Sequence, residues 1–170
     1  MIQIPVSVGE LIDKLSILHV KKNKIVDETK LDYVNKEFEI LYNISSYFLN
    51  DEKITNLYHS LVETNSSLWD VEDKLREYEK LGIFEGHFVK LARQVYTLND
   101  ERFEKKNMIN EISNSEIREQ KSYQDYKTIN ESEDYKEKYI FESPDGGITV
   151  YRRKIGEPHD KRGLISNGQN

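Results

Sequence analysis

The sequence has no cysteine, only three prolines and eight glycines, a single tryptophan, and one alanine, Ala92, in 170 residues. The missing thiols exclude disulfide staples, thiolate zinc sites and cysteine nucleophiles together. No apolar run approaches the roughly 20 residues needed to cross a bilayer. The opening MIQIPVSVGE lacks a basic n-region and a cleavable apolar segment, so no secretory signal is expected and the expected location is the cytoplasm. Basic residues are outnumbered 25 to 31, for a net charge of -6. That balance argues against broad contact with nucleic acid or an anionic membrane, both of which favour a basic surface.

What is present divides near residue 112. The first 112 residues hold 48 of the 62 hydrophobic side chains, enough for a core, whereas residues 113–170 hold 14. No glycine or proline falls between residues 10 and 81, as uninterrupted helices require. Apolar residues recur there at helical spacing. A first helix shows Val8, Leu11, Leu15, Leu18 and Ile25, opened by the capping-box pair Ser7 and Glu10. A second, with Thr29 as its expected cap, carries Leu31, Val34, Phe38, Leu41 and Phe48. A third follows the turn at Asn50-Asp51 and runs from Ile54 to Leu81-Gly82; a fourth runs from Phe88 to Ile112. Short connections make successive helices antiparallel. The pattern predicts an all-α, antiparallel four-helix bundle over residues 1–112. Helices one and three are expected to pack best, with the tyrosine-rich second helix covering them loosely.

Beyond the bundle, residues 113–137 read as a charged linker or frayed helix. Residues 138–154 carry a hairpin signal, with Ser143-Pro144-Asp145-Gly146-Gly147 between two β-prone runs, because glycine supplies the positive φ of a tight turn. A lone hairpin is marginal in water, so it is expected to dock on something. Residues 155–170 read as a flexible basic tail.

The strings of common catalytic sites are absent: no phosphate-binding glycine loop, no nucleophile elbow, no H-E-x-x-H. His19, His59, His87 and His159 are scattered, with no pair one helical turn apart. Carboxylates are the remaining chemistry. Glu10 and Asp13 are three apart and share a face, as do Asp70 and Asp73 with Glu72 between them. All-α nucleotide pyrophosphohydrolases use magnesium-binding pairs in this manner, which would make Glu10, Asp13, Glu72 and Asp73 the metal set. This makes a magnesium-dependent nucleotide or sugar-nucleotide hydrolase one reading. Glu10, Asp13, Asp70 and Asp73, however, all miss the apolar seams of their helices, which favours a solvated face.

A second constellation is denser. Asn65, Trp69 and Glu72 recur at 3–4 spacing on helix three. Arg93, Tyr96, Asn99, Asp100 and Arg102 answer on helix four, and Glu10, Asp13 and Lys14 on helix one. An indole beside an amide, arginines and carboxylates suits a sugar, a nucleotide or a peptide, with Trp69 as the stacking surface. The same residues also suit an interhelical polar network that fixes the register of the bundle. A third and weaker feature is the basic end, with Arg152, Arg153 and Lys154 followed by Lys161 and Arg162, which suits nucleic-acid contact or a solvated tail.

Three strings, IPVSVGELIDKLSIL, NSSLWDVED and FVKLARQVYTLNDER, resemble a bacterial and phage family of small helical proteins with no established function. The resemblance covers about residues 2–112. It implies a polar signature on Glu10, Asp13, Lys14, Asn65, Trp69, Glu72, Asp73, Arg93, Tyr96, Asn99, Asp100 and Arg102. In bacteria it also implies the company of surface-polysaccharide and glycosyltransferase genes. The long C-terminal extension and the scarcity of alanine depart from the family. The FESPDGGITVYRR stretch resembles an element at the ends of small marine-phage proteins, and abundant Lys, Asn, Ile and Tyr suit an AT-rich phage genome. The expectation is a cytoplasmic, phage-encoded, non-catalytic binding module that needs no cofactor. It would engage a protein or small polar ligand and no membrane. Heptad-like spacing also permits a homo-oligomer.

Overall fold

The computed structural model describes residues 3–122, 139–146 and 148–166. Four helices pack against each other: α1 (Val8–Lys24), α2 (Glu28–Leu49), α3 (Glu52–Leu81) and α4 (Gly86–Ile112). A small antiparallel sheet follows, with β1 (Tyr139–Glu142), β2 (Val150–Lys154) and β3 (Gly163–Ser166). The chain forms two compact units, Met1–Lys121 and Ser122–Asn170.

The first three helices start where an oxygen-bearing side chain accepts the first free amides, whereas α4 starts at Glu85 with no side-chain cap. Ser7 accepts from Glu10 N at 3.1 Å, Asp27 from Lys30 N at 2.9 Å, and Asp51 from Lys53 N at 2.8 Å. The second helix therefore begins at Asp27 instead of the expected Thr29, because an aspartate two residues earlier offers the stronger acceptor. At the far end of α3, Gly82 takes φ +66, the left-handed cap that glycine adopts without strain.

The core gathers Ile12 and Leu15 of α1, Ile54, Tyr58 and Leu61 of α3, and Ile109 of α4. α1 touches all three other helices, while the longest helix–helix contact runs between α3 and α4. α2 leans on α1 and buries only Val34 and Ser45, with Tyr33 and Tyr47 exposed. It covers loosely because its aromatic residues fall on more than one face.

The hairpin expected around Pro144-Asp145-Gly146 is present as β1 and β2, with Phe141 opposite Arg152. Gly146 takes φ +72, and Asp145 Oδ1 accepts from Thr149 N at 2.7 Å. The stretch expected to be a flexible basic tail is different. A 3₁₀ turn at His159–Lys161 leads into β3, which pairs with the free edge of β2 and makes β2 the central strand. Counting charges in that stretch hid Leu164 and Ile165, which supply a third β-prone run. Of the linker expected at 113–137, residues 123–137 lie outside the described residues, as does residue 138 at the start of the expected hairpin. The part before it turns back at Asn114, φ +51, and continues as irregular chain to residue 122.

Candidate functional site

The site grows from the first turn of α1, which runs against α4 at very close range. Gly9 makes this approach possible. A methyl group there would overlap the Lys106 carbonyl oxygen and lie 2.9 Å from Asn110 Oδ1. The amides that a helix start leaves without intrahelical partners are met from outside. Val8 N donates to Ser115 Oγ at 3.3 Å, Gly9 N to Asn110 Oδ1 at 2.7 Å, and Glu10 N to Ser7 Oγ. The Glu10 side chain is taken by Lys106 Nζ at 2.6 Å, and Lys106 also pairs with Glu119. Burial pulls the Lys106 ammonium toward neutrality, but the hydrogen bonds to Glu10 and Glu119 outweigh it and raise its pKa. The hydrogen bond from Lys106 holds the Glu119 carboxyl below its usual value.

One helical turn further, Asp13 is buried at 1 % exposure and receives a two-pronged contact from Arg102. Arg102 Nε lies 2.7 Å from Oδ1 and Nη2 lies 2.5 Å from Oδ2. Such a fork supplies direction as well as charge. Asn65 Nδ2 of α3 donates to Ser16 Oγ at 2.8 Å and to Asp13 Oδ1 at 3.2 Å, and Ser16 Oγ donates to the Asp13 carbonyl. Asn99 Oδ1 accepts from Arg102 Nη1 at 3.4 Å. Hydrogen bonding to Asp13 raises the Arg102 pKa against the opposing pull of burial. Three helices thus meet through one polar cluster inside an apolar bundle.

Above this cluster opens a cleft of about 160 Å³. Ile17, Val20 and Leu68 form its apolar wall, the half-buried Trp69 one side, and Glu72, Asn99 and Arg102 the polar rim. The arginine is anchored from behind by Asp13, yet a quarter of its side chain remains exposed (26 %).

Of the residues singled out in the sequence, the fold therefore joins Asp13, Asn65, Trp69, Glu72, Asn99 and Arg102. Glu10 belongs to the neighbouring Lys106 cluster. Lys14 pairs with Glu37 of α2 at 2.6 Å, and Asp100 meets Lys121 at 3.6 Å. Arg93 Nε donates to Tyr96 Oη at 3.2 Å on the exposed side of α4, and neither lines the cleft.

The magnesium grouping of Glu10, Asp13, Glu72 and Asp73 is not assembled. Asp13 and Glu10 are engaged by Arg102 and Lys106, while Glu72 and Asp73 share Arg76 on the outside of α3 at 2.8 and 3.4 Å. Among the described residues, no three His, Asp or Glu side chains are placed to hold a metal ion. Helical spacing puts Glu10 and Asp13 on one face of α1, but Lys106 and Arg102 of α4 engage them, while Arg76 takes Glu72 and Asp73 on α3. The basic end is also divided. Strand alternation separates Arg152 and Lys154 from Arg153, which Glu142 holds at 2.7 Å, and Arg152 and Arg162 lie over the rings of Tyr139 and Tyr151.

Sequence reasoning missed Gly9, Ser16, Lys106, Asn110 and Glu119. A signal existed for three of them. Glycine in a first helical turn marks close approach, and Arg102, Lys106 and Asn110 repeat at i,i+4 along one face. None existed for Glu119, which follows the turn at Asn114.

No helix among the described residues is long and apolar enough to cross a membrane. No curated protein and no solved structure matches the chain. A family model matches residues 2–137, beyond the α-helical region that the three strings span, and takes in the polar cluster and the cleft. By that match the chain belongs to a family of unknown function (DUF6165).

Proposed function

We propose that this protein is a non-catalytic binding module of the bacterial cytoplasm, phage-encoded, and that its Trp69 cleft takes a small polar ligand or a side chain of a partner protein. The observation that carries this reading is Arg102. Its guanidinium is locked by a buried carboxylate, so a cation stands at the cleft rim at little cost in side-chain freedom, directly beside an indole. A flat or apolar ring packs on Trp69 and Leu68, and an acceptor oxygen on that ring meets the remaining Arg102 hydrogens. A sugar ring or a peptide side chain has this chemistry and fits the volume. The phage setting is supported by the resemblance of the three strings and by a composition rich in Lys, Asn, Ile and Tyr.

Trp69 is the only tryptophan, so its emission reports on the cleft directly. Titrating the full chain with a panel of monosaccharides, nucleotides and short peptides is expected to shift that emission saturably for at least one class. Trp69→Phe keeps a ring and is expected to retain capture, followed by calorimetry, whereas Trp69→Ala loses it with the helical circular dichroism unchanged. If no class perturbs the emission, and the natural chain and Trp69→Ala copurify the same partners, the reading fails.

A further inference from the structure

The cleft beside Trp69 is built from helix interiors. Its lining residues fall within 17–20 of α1, 65–72 of α3 and 99–102 of α4, each at least a full turn from a helix end. Backbone amides at such positions are committed to their own helices, so the cleft meets a ligand with side chains alone. A phosphate group binds where a helix start or glycine loop leaves amides free, or where several cations converge. Among its described residues the cleft has neither. The two charged residues that line it, Arg102 and Glu72, are opposite in sign, and each already holds a partner, Asp13 and Arg76. An anion entering the cleft therefore meets no net positive charge, and it meets the Glu72 carboxylate at the rim.

Hydrogen-bonding groups, in contrast, remain uncommitted. Of the five N–H hydrogens of Arg102, two go to Asp13 and one to Asn99 Oδ1, which leaves one on Nη1 and one on Nη2. Glu72 gives Oε2 to Arg76 and keeps Oε1 as an acceptor. The Trp69 indole N–H has no partner among the described residues. Two adjacent donors with an acceptor on the same rim suit neighbouring hydroxyls on one ring, because a hydroxyl accepts and donates at once. Each hydroxyl takes one Arg102 hydrogen, and one of them gives its own proton to Glu72. The C–H face of such a ring packs on the indole and the aliphatic wall. We propose that the Trp69 cleft takes an uncharged sugar, held through two neighbouring hydroxyls by Arg102 and Glu72, with its apolar face on the indole. The inference rests on the reading of the cleft as a ligand site and narrows it to one class, because the paired charges disfavour nucleotides, uronic acids and acidic peptides. With about a dozen heavy atoms and one stacking surface, a single hexose is expected to bind with a Kd of about 1 mM.

Calorimetry and Trp69 emission on the full chain test this with glucose, galactose, mannose, their uronic acids and AMP. At least one neutral hexose is expected to saturate the cleft, about tenfold tighter than its uronic acid or AMP. Removing either of the two hydroxyls, read with the monodeoxy forms of that hexose, is expected to weaken capture about tenfold. Glu72→Gln removes the rim charge and is expected to narrow the preference for the neutral sugar over its uronic acid about tenfold, with unchanged helical circular dichroism. A purely structural Glu72 would leave that ratio where it is, and this result overturns the proposal. So does a uronic acid or AMP that binds the natural chain as tightly as any hexose, or a full set of monodeoxy forms that bind undiminished; both leave the cleft a ligand site. Capture of a partner protein, lost in Trp69→Ala, with no sugar bound overturns the proposal in the same way. If nothing at all is captured, both readings of the cleft fall.

Discussion

Single residues set the closeness of this bundle. Gly9 allows α1 to lie on the α4 backbone, so Gly9→Ala must push the helices apart against a carbonyl that cannot swing away. Chemical denaturation is expected to show a loss of about 3 kcal/mol. Asp13 and Arg102 present the buried-pair problem, in which desolvation is repaid only while both partners remain. Asp13→Ala strands a guanidinium and is expected to cost about 3–5 kcal/mol, while Asp13→Leu with Arg102→Met costs clearly less. A double-mutant cycle reads that difference. His19 adds a dependence on pH. Burial, then His59 and Lys22, lower its pKa, and its Nδ1 lies 2.8 Å from Tyr58 Oη. The folded state therefore binds this proton less readily than the unfolded chain, so the stability His19 contributes is present above about pH 6.5 and is lost as pH falls through its depressed folded value. Thermal melts between pH 7.5 and 5 are expected to show a falling midpoint that His19→Gln flattens.

At the scale of elements, the helices differ in how firmly they are held. α1 carries seven buried residues in seventeen, whereas α2 carries two in twenty-two. Amide hydrogen exchange is expected to be fastest in α2 and slowest where α1, α3 and α4 meet. Uniform exchange across all four would contradict the packing described. Caps were the most readable feature of the chain: Ser7, Asp51 and Gly82 all stand where the punctuation of the sequence put them. The exceptions are the second cap, where Asp27 stands in place of Thr29, and the partner of the first. Glu10, expected to close the box back onto Ser7, is drawn to Lys106, because a charged donor from another helix outbids a local amide. The third strand was illegible for a related reason. Its two apolar residues lie in a charged, glycine-containing stretch, and only the open edge of β2 gives them a place to pair.

For the whole molecule, hydrophobic content puts the end of the helical part near residue 112, while the compact unit extends to Lys121. The added segment is held by polar contacts: Ser115 at Val8 N, Glu119 at Lys106, and Lys121 at Asp100 and the Asn99 carbonyl. Residues 1–121 are expected to fold alone, and residues 1–112 to melt at a lower temperature. Equal melting of the two fragments would show that the segment contributes nothing. Because Glu119 is held below its usual pKa, its contribution is present above the ordinary carboxylate range and is lost as pH falls through its lowered value, so the two fragments should converge in acid.

Periodicity and the distribution of breakers determined four helices, their order and the caps at Ser7, Asp51 and Gly82, since those depend on neighbours within a turn or two of chain. The choice of Asp13, Asn65, Asn99 and Arg102 as one cluster, with Trp69 and Glu72 beside it, was also within reach, because helical spacing says which side chains share a face. Only the tertiary structure decided what each charge does. A carboxylate on a helix face is a metal ligand, a salt-bridge partner or a solvated ornament according to the cation that the next helix brings within 3 Å, and that distance belongs to packing between segments up to a hundred residues apart.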